Sequence, residues 1–219
     1  MKRIGFVFGI LAVLGLLAAQ QSPQAVIARL EKTLQSLDSF QADFEQASYS
    51  TSVVAPLKQK GKIYFQKPDR MRWEYAAPEP STFVYADGMS LSYYPEDHQL
   101  WRQKISAEQY ESGFPGLLAG KAHLSEKYVI EDSPFPGGGK NSAQIKLTPK
   151  EEGETAYILL EIDRKSGLLT RAALFDSARN KIEYGFSRFK TNLRFAKDLF
   201  EIKVPPDCEI IEEAGPRKK

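Results

Sequence analysis

Apolar and polar side chains alternate strictly in residues 61–75 (GKIYFQKPDRMRWEY), on both sides of one short interruption. Alternation at period two is typical of half-buried β-strands, because successive side chains of a strand point to opposite faces of the sheet. The interruption, Lys67-Pro68-Asp69, predicts a turn, since proline fixes its own φ and disfavours a helical residue before it. The apolar face of this hairpin carries Ile63, Phe65, Met71, Trp73 and Tyr75. Such a face needs a cover, which is a second sheet, a helix or an apolar ligand.

A helical pattern precedes the hairpin. Ser22-Pro23 is typical of an N-cap followed by a first-turn proline, and spacings of three and four then produce one mostly apolar stripe. The stripe consists of Val26, Leu30, Thr33, Leu34 and Leu37. The pattern leaves the end of this helix open by about one turn around Asp38, and the first strand is expected over residues 42–52.

Short strands bounded by turn residues follow the hairpin and predict an antiparallel sheet. Asp87-Gly88 indicates a tight hairpin turn, and Met89, Leu91 and Tyr93 alternate on its return strand. Further strands are expected over residues 82–86, 100–104, 127–131, 144–147, 156–163, 168–176, 181–189 and 200–204. The whole sheet therefore has about ten to eleven predicted strands.

Residues 106–122 interrupt the series of strands. They contain a compact apolar group and predict one or two short helices, broken around Gly113 and Pro115. Because a strongly twisted sheet of about ten strands tends to curl, the predicted fold is mainly β, with both helical segments outside the meander.

The chain opens with MKRIGFVFGILAVLGLLAA, which has the build of a cleavable secretory signal: basic residues, an apolar stretch and two small residues. A membrane anchor is the weaker interpretation, since the apolar stretch is shorter than the roughly 20 residues needed to cross a bilayer. We therefore expect residues 1–19 to be removed and residues 20–219 to form a single exported domain.

The charge balance of the mature chain is even. It carries 28 basic and 28 acidic residues once Lys2 and Arg3 leave with the signal, which gives no indication of a nucleic-acid partner or an anionic membrane surface. Cys208 is the only cysteine, so no intramolecular disulfide can form and the fold depends on packing.

The sequence lacks the motifs of common catalytic and metal sites. His98 and His123 are its only histidines, and neither is spaced with another histidine or a cysteine as in a metal site. No glycine-rich phosphate loop follows a strand, and no serine stands in a nucleophile elbow. We therefore expect neither an enzyme nor a resident cofactor or metal.

Seven large aromatic rings fall within residues 65–94, and this density allows two interpretations. For any one ring, a place in an ordinary sheet core is the simpler interpretation. For the set, a curled sheet whose apolar concave face is covered by short amphipathic helices would bind a lipid or another apolar ligand. The rings are Phe65, Trp73, Tyr75, Phe83, Tyr85, Tyr93 and Tyr94.

Three segments of the chain resemble the periplasmic outer-membrane lipoprotein carrier proteins, the LolA-like chaperones. They are FQADFEQ at residues 40–46, the block at 61–75 followed by PEPSTFVYADG, and the ending LFEIKVPPDCEII. The resemblance implies a strongly curved antiparallel half-barrel, an incomplete barrel whose open side is covered by helices as a lid. It also implies a monomeric carrier that takes triacylated lipoproteins from an ATP-driven inner-membrane exporter and delivers them to an outer-membrane receptor.

The resemblance implies roles for particular residues by position. Leu30 and Leu34 match the first lid helix, whereas Leu117, Leu118 and Ala119 match the second. The acyl-chain cavity is expected to be lined by Ile63, Phe65, Met71, Trp73, Tyr75, Phe83, Tyr85 and Leu91.

Lys67 departs from this family, which commonly has an arginine directly before the turn proline, reaching to the lid helices. Lysine offers three donors on a point charge, whereas arginine offers five in a planar fork. A lid bonded to Lys67 would therefore have fewer fixed hydrogen bonds. Lys67 is a candidate lid latch, and a plain surface lysine is the equal alternative.

Two other functions stay open from the sequence. A periplasmic sensor of lipoprotein acyl chains would share the cavity, but it would usually have a second domain, for which residues 20–219 leave little room. An enzyme acting on a lipid or glycan would need a reactive constellation that the sequence does not show.

Overall fold

The structure is a computed structural model, and it describes residues 21–133, 139 and 141–213. Within this part of the chain, twelve strands form one open, curved sheet that does not close into a barrel, and four helices accompany it. This confirms the predicted fold class. The signal predicted over residues 1–19 lies outside the described residues. None of the described helices is long and apolar enough to cross a membrane.

The elements follow in chain order. The helices are α1 (Pro23–Ser36), α2 (Ala107–Ser112), α3 (Phe114–Leu118) and α4 (Leu124–Lys127). The strands are β1 (Ser39–Tyr49), β2 (Leu57–Gln66), β3 (Arg70–Ala77), β4 (Ser81–Ala86), β5 (Met89–Tyr94), β6 (Gln99–Lys104), β7 (Tyr128–Asp132), β8 (Ser142–Pro149), β9 (Thr155–Asp163), β10 (Leu169–Asp176), β11 (Lys181–Thr191) and β12 (Glu209–Glu213).

Two antiparallel meanders meet in the middle of the sheet, where β1 pairs with β2 on one side and β11 on the other. The strand order is β12-β6-β5-β4-β3-β2-β1-β11-β10-β9-β8-β7. The edge strand β12 pairs with β6 in parallel, an exception to the expected antiparallel sheet. The strand expected over residues 200–204 is absent, because that segment is irregular and β12 begins only at Glu209.

The hairpin predicted over residues 61–75 is confirmed as β2 and β3. Ile63 pairs with Trp73 and Phe65 pairs with Met71, and all four side chains are buried. The peptide bond between Lys67 and Pro68 in the intervening turn is cis. We call the sheet face that carries these four side chains the inner face, and the opposite face the outer face.

Helix α1 begins where the sequence predicted, with the Ser22 hydroxyl accepting a hydrogen bond from the Ala25 amide and proline in the first turn. The helix ends at Ser36, and β1 starts only three residues later. Its buried side chains are Val26, Ile27, Leu30 and Leu34, which belong to the same core cluster as the inner face. Ile27, fully buried, was missing from the predicted stripe.

The segment after β11 crosses the outer face. The Arg72 guanidinium donates hydrogen bonds to the carbonyl oxygens of Leu199 and Glu201, each at 3.1 Å. The Phe195 ring lies edge-on to Tyr64 at 5.9 Å, and Phe200 is buried. This segment therefore lies over the outer face at β2 and β3, and it delivers β12 to the sheet edge beside β6.

Candidate functional site

The inner face concentrates its aromatic rings around Trp73. The centroid of the Trp73 ring lies 4.9 Å from Phe44, 5.7 Å from Tyr184 and 6.3 Å from Phe186. Phe114, which comes from helix α3, lies 6.5 Å from Trp73 and stacks on Tyr184 at 4.8 Å. A ring from a helical segment thus fills the space beside Trp73.

Two helical segments cover this aromatic face. The first is α1, which we call the first lid, and the second is α2 with α3 (residues 107–118), which we call the second lid. Leu30 and Leu34 of the first lid are buried against the inner-face cluster. Leu117 and Leu118 of the second lid are buried in the same cluster, and so is Ala119, the residue directly after this lid. The structure therefore places all five residues between the helices and the sheet.

The second lid also contains an unsatisfied polar group. The Tyr110 ring stacks on Tyr85 at 4.0 Å, and its buried hydroxyl has no hydrogen-bond partner in the described part of the chain. A buried hydroxyl without a partner costs about 1–3 kcal/mol. The closed position of the second lid is therefore stabilised by apolar packing and weakened by this hydroxyl.

Few polar bonds connect the lids to the sheet and to each other. Lys67 Nζ donates to the carbonyl oxygen of Gln35 at 2.7 Å and lies 3.6 Å from Asp38 Oδ1. The Gln35 side-chain amide donates in turn to the carbonyl oxygen of Gly120 at 3.1 Å. Lys67 therefore contacts the last turn of the first lid, and Gln35 continues the chain of bonds to the end of the second lid.

The structure brings seven of the eight predicted cavity residues to one face. Ile63, Phe65, Met71, Trp73 and Tyr85 are buried in the inner-face cluster, and Tyr75 and Phe83 pack against its margin. The eighth prediction, Leu91, is wrong. Leu91 pairs with Val84, and Val84 pairs with Arg72, so all three side chains lie on the outer face.

Several residues of the site escaped the sequence reasoning. Phe114, Tyr110, Tyr184 and Phe186 contact the predicted residues but lie far from them in sequence. The alternation of Ile182, Tyr184 and Phe186 along β11 was a signal that could have found two of them. Phe114 belonged to the compact apolar group predicted in residues 106–122, but its short helix has no clear periodicity that would have assigned it to the site.

A cavity of about 440 Å³ lies at the margin of the inner face. Its walls carry the aromatic side chains of Tyr75, Phe83 and Tyr94. They also carry the carboxylates of Glu79, Glu96 and Asp97. The full set of lining residues is Gln46, Gln59, Tyr75, Glu79, Pro80, Ser81, Phe83, Tyr94, Glu96 and Asp97. A second cavity of about 720 Å³ lies at the far end of β1 and β2, among acidic, basic, amide and apolar side chains.

Hydrogen-bonded side chains separate the aromatic cluster around Trp73 from the cavity of about 440 Å³. The Tyr75 hydroxyl donates to Gln46 Oε1 at 2.6 Å, and Gln46 Nε2 donates to Gln59 Oε1 at 3.3 Å and to Ser48 Oγ at 3.0 Å. Burial raises the pKa of Tyr184 to about 12. Burial and the adjacent Tyr184 raise the pKa of Tyr75. Both hydroxyls are therefore uncharged at neutral pH.

The raised pKa of Tyr184 predicts that the folded protein loses stability at alkaline pH. An unfolded tyrosine titrates near pH 10, so between about pH 10 and 12 the unfolded chain releases the Tyr184 proton while the folded chain keeps it. The contribution of Tyr184 is complete below about pH 10 and falls as the pH rises. Urea unfolding at stepped pH should show this decline, and Tyr184→Phe should make it shallower, since Tyr64, Tyr75 and Tyr110, whose pKa values are also raised, still contribute. An unchanged decline in the variant would contradict the assignment.

Within the described residues, no group of three or more histidine, cysteine, aspartate or glutamate side chains is placed to hold a metal ion. His98 Nδ1 lies 3.0 Å from Asp207 Oδ2 in an exposed pair. The chemistry of the inner face is thus that of an apolar surface with a few hydroxyl and amide groups.

The fold and the inner face define this protein as a half-barrel with a helix-covered aromatic interior. The chain belongs to the LolA family, because the sequence model described as Outer membrane lipoprotein carrier protein LolA matches residues 35–203.

Curated relatives agree with this assignment. The outer-membrane lipoprotein carrier protein of Methylococcus capsulatus is 29% identical over 199 residues, covering 89% of this chain and 90% of the relative. The protein of the same name from Dechloromonas aromatica is 24% identical over 187 residues, covering 85% and 88%. A crystal structure of an uncharacterized conserved protein from Thermus thermophilus shares the fold, with a TM-score of 0.56, 15% identity, and 88% of this chain and 100% of that chain covered.

Proposed function

We propose that this protein is a periplasmic chaperone that shelters the acyl chains of lipoproteins released from the inner membrane and delivers them to an outer-membrane receptor. The supporting observation is that two helical segments cover the aromatic inner face, largely through apolar contacts. Membership of the lipoprotein carrier family supports the same function. In this proposal residues 1–19 direct export and are removed, and residues 20–219 act as one monomeric domain without catalytic activity.

The magnitudes of burial explain why such a carrier needs a donor and an acceptor. Burying one methylene is worth about 0.8 kcal/mol. For the acyl chains of a triacylated lipoprotein, with roughly 14 methylenes each, the total burial free energy exceeds about 30 kcal/mol. Non-covalent affinity saturates near roughly 18–21 kcal/mol. A soluble carrier therefore cannot extract a triacylated lipoprotein from a bilayer unaided. The proposal consequently includes an ATP-driven exporter as the donor.

The lids account for solubility when no cargo is bound. With α1 and α3 in place, the leucines of both lids and Phe114 occupy the inner face that acyl chains would otherwise contact. Part of the burial energy of the cargo is used to displace the lids, which lowers the net affinity. Incomplete affinity allows a receptor with a better apolar site to accept the cargo.

We propose Lys67 as the latch of the first lid. Replacing Lys67 with methionine removes the bond from Nζ to the Gln35 carbonyl oxygen, and the Lys67 side chain is 41% exposed. The expected loss is therefore modest, about 0.5–1.5 kcal/mol of lid closure. Hydrogen exchange of the α1 amides should quicken by about tenfold at most, since 1.4 kcal/mol corresponds to a factor of ten.

The control for the latch is Lys67→Arg, which keeps a donor before Pro68 and should retain slow exchange in α1. If both variants exchange as the wild type does, Lys67 is an ordinary surface lysine.

Quenching of Trp73 tests the carrier function directly. The chain contains two tryptophans, Trp73 and Trp101, so Trp101→Phe leaves Trp73 as the only emitter. A synthetic triacylated lipopeptide with brominated acyl chains should quench this emission at micromolar concentration. The matched control is Trp73→Phe, in which Trp101 remains. Trp101 is 36% exposed on β6, three strands away from β3, so weaker quenching is expected. Absence of quenching and of any lipopeptide binding would overturn the proposal.

A further inference from the structure

The cavity at the margin of the inner face has an amphiphilic lining. Tyr75, Phe83 and Tyr94 form a continuous aromatic wall, with ring centroids 5.4 Å apart for the first pair and 5.9 Å for the second. Tyr75 also contacts Phe44 at 4.8 Å, and Phe44 contacts Trp73. The aromatic wall therefore adjoins the cluster beneath the lids, and the bonded side chains of Tyr75 and Gln46 lie between Trp73 and the cavity.

Amide and hydroxyl groups line the cavity on the side of the aromatic cluster. Gln46 and Tyr75 bond to each other, and Gln46 donates to Gln59 Oε1. The Gln59 amide nitrogen donates no hydrogen bond to another described residue, and Gln59 lines the cavity. An uncharged carbonyl group that enters the cavity can accept a hydrogen bond from Gln59 without displacing an existing bond.

The charged side chains that line the same cavity are all acidic. Glu79, Glu96 and Asp97 line it, and no lysine, arginine or histidine is among its lining residues. None of the three carboxylates lies within 4.0 Å of a basic side chain in the described part of the chain. A phosphate placed here would be repelled by three carboxylates, whereas an uncharged glycerol would meet hydrogen-bond acceptors.

We propose that this cavity is the subsite for the uncharged ester–glycerol part of an acylated ligand, and that it discriminates against phosphate headgroups. The inference rests on the proposed carrier function and adds a substrate selectivity to it. Acyl chains lie towards Trp73, the ester carbonyl accepts a bond from Gln59, and the glycerol lies between the carboxylates. Acyl lipids that carry phosphate share the chains but not the fit to this cavity.

A pair of ligands with the same acyl chain tests the selectivity. Monopalmitoylglycerol and palmitoyl lysophosphatidylglycerol, both below their micellar concentrations, are titrated against a bound fluorescent acyl probe. The wild-type protein, produced from the full-length sequence, should bind the uncharged ligand at least about tenfold more tightly at low salt. Each of the three carboxylates contributes about a twofold to fivefold penalty against the phosphate at a solvent-exposed position. High salt should reduce this ratio.

Neutral variants then locate the effect. In Glu79→Gln/Glu96→Gln/Asp97→Asn the preference should fall to about twofold or less, mainly because the phosphate ligand binds more tightly. Binding of monopalmitoylglycerol should weaken by about twofold at most, since the amide oxygens remain acceptors. The matched control is Glu151→Gln/Glu152→Gln/Glu154→Gln, which removes three carboxylates from an exposed loop away from the cavity. An equal loss of preference in the control, or no loss in the cavity variant, would overturn the inference.

A second variant tests the carbonyl contact. Gln59→Leu should weaken monopalmitoylglycerol binding about threefold to tenfold and leave the ether analogue hexadecylglycerol, which lacks the carbonyl, nearly unaffected. An equal effect on both ligands would contradict the role of Gln59. If the wild type binds neither the acyl probe nor any of these ligands, the carrier function itself fails. Binding of all ligands without preference leaves the carrier function intact and removes the subsite.

Discussion

Gly61→Ala is expected to lower the free energy of unfolding by about 3 kcal/mol or to prevent folding. Gly61 lies in β2 between Phe44 of β1 and Tyr75 of β3, next to a register shift after Lys60. A Cβ at this position would collide with the carbonyl oxygen of Glu74 and come within 2.9 Å of the Phe44 ring. Neither the backbone nor the packed ring can move without disturbing the aromatic cluster.

Gly185→Ala is the matched control for this substitution. Gly185 lies in β11, on the other side of β1, and a Cβ there would have nothing within 4 Å. Because alanine has less conformational freedom than glycine in the unfolded chain, this variant should be unchanged or stabilised by about 0.5–1 kcal/mol. Urea unfolding monitored by circular dichroism measures both, and equal stability of the two variants would show that the close approach at Gly61 is unimportant.

Leu34→Asp is expected to release the first lid while the sheet stays folded. Leu34 is 3% exposed in the core cluster between α1 and the inner face. Loss of a buried leucine costs about 2–5 kcal/mol, and a buried carboxylate without a partner adds to this cost. The protein avoids the cost by detaching α1. The helix is connected to the strands and their turns by hydrogen bonds of Gln24, Arg29 and Lys67 at exposed or partly buried positions, which water can replace.

Hydrogen exchange and limited proteolysis measure this release. Amides of residues 23–36 should exchange nearly as fast as in a free peptide, and cleavage should concentrate there, while the signal of the sheet in circular dichroism persists. Ala28→Asp introduces the same side chain on the exposed side of α1 and should leave both measurements unchanged. Protection of α1 in Leu34→Asp equal to that in the wild type would show that α1 does not act as a lid.

The residues of the central hairpin show how far local patterning extends. Alternation placed Ile63, Phe65, Met71 and Trp73 on one face correctly, because a strand has no other way to display its side chains. The alternation rule holds for β5 as well, but Leu91 was assigned to the inner face although it lies on the outer one. The two-residue turn at Asp87-Gly88, with φ of 53° and 76°, fixes the register that pairs Leu91 with Val84.

Leu91 and the buried Val84 and Leu100 lie on the outer face, where a distant segment of the chain covers apolar side chains. Val84, Leu100 and Phe200 are buried, yet they lie outside the inner-face cluster. The segment that contains Phe200 bonds to Arg72 on the outer face, so apolar side chains there are also removed from water. A sequence pattern cannot reveal a cover that arrives from a segment so far along the chain.

The lids too have some features that local sequence predicts and others that depend on long-range contacts. Helix α1 could be predicted from its cap and its apolar stripe, and the break around Gly113 and Pro115 was visible in the sequence. The position of Phe114 beside Trp73 and Tyr184, and the route from Lys67 through Gln35 to Gly120, could not. These contacts join elements that are far apart along the chain.

The sequence by itself determined the faces of the strands, the helical stripe of α1 and the tight turns, because each depends on neighbours a few residues apart. Only the tertiary structure decided which face the helices cover, where β12 joins the sheet and which polar groups stand at the margin of the aromatic interior. Those features depend on pairing register and on long-range packing, and their free energies come from contacts that a local pattern does not contain.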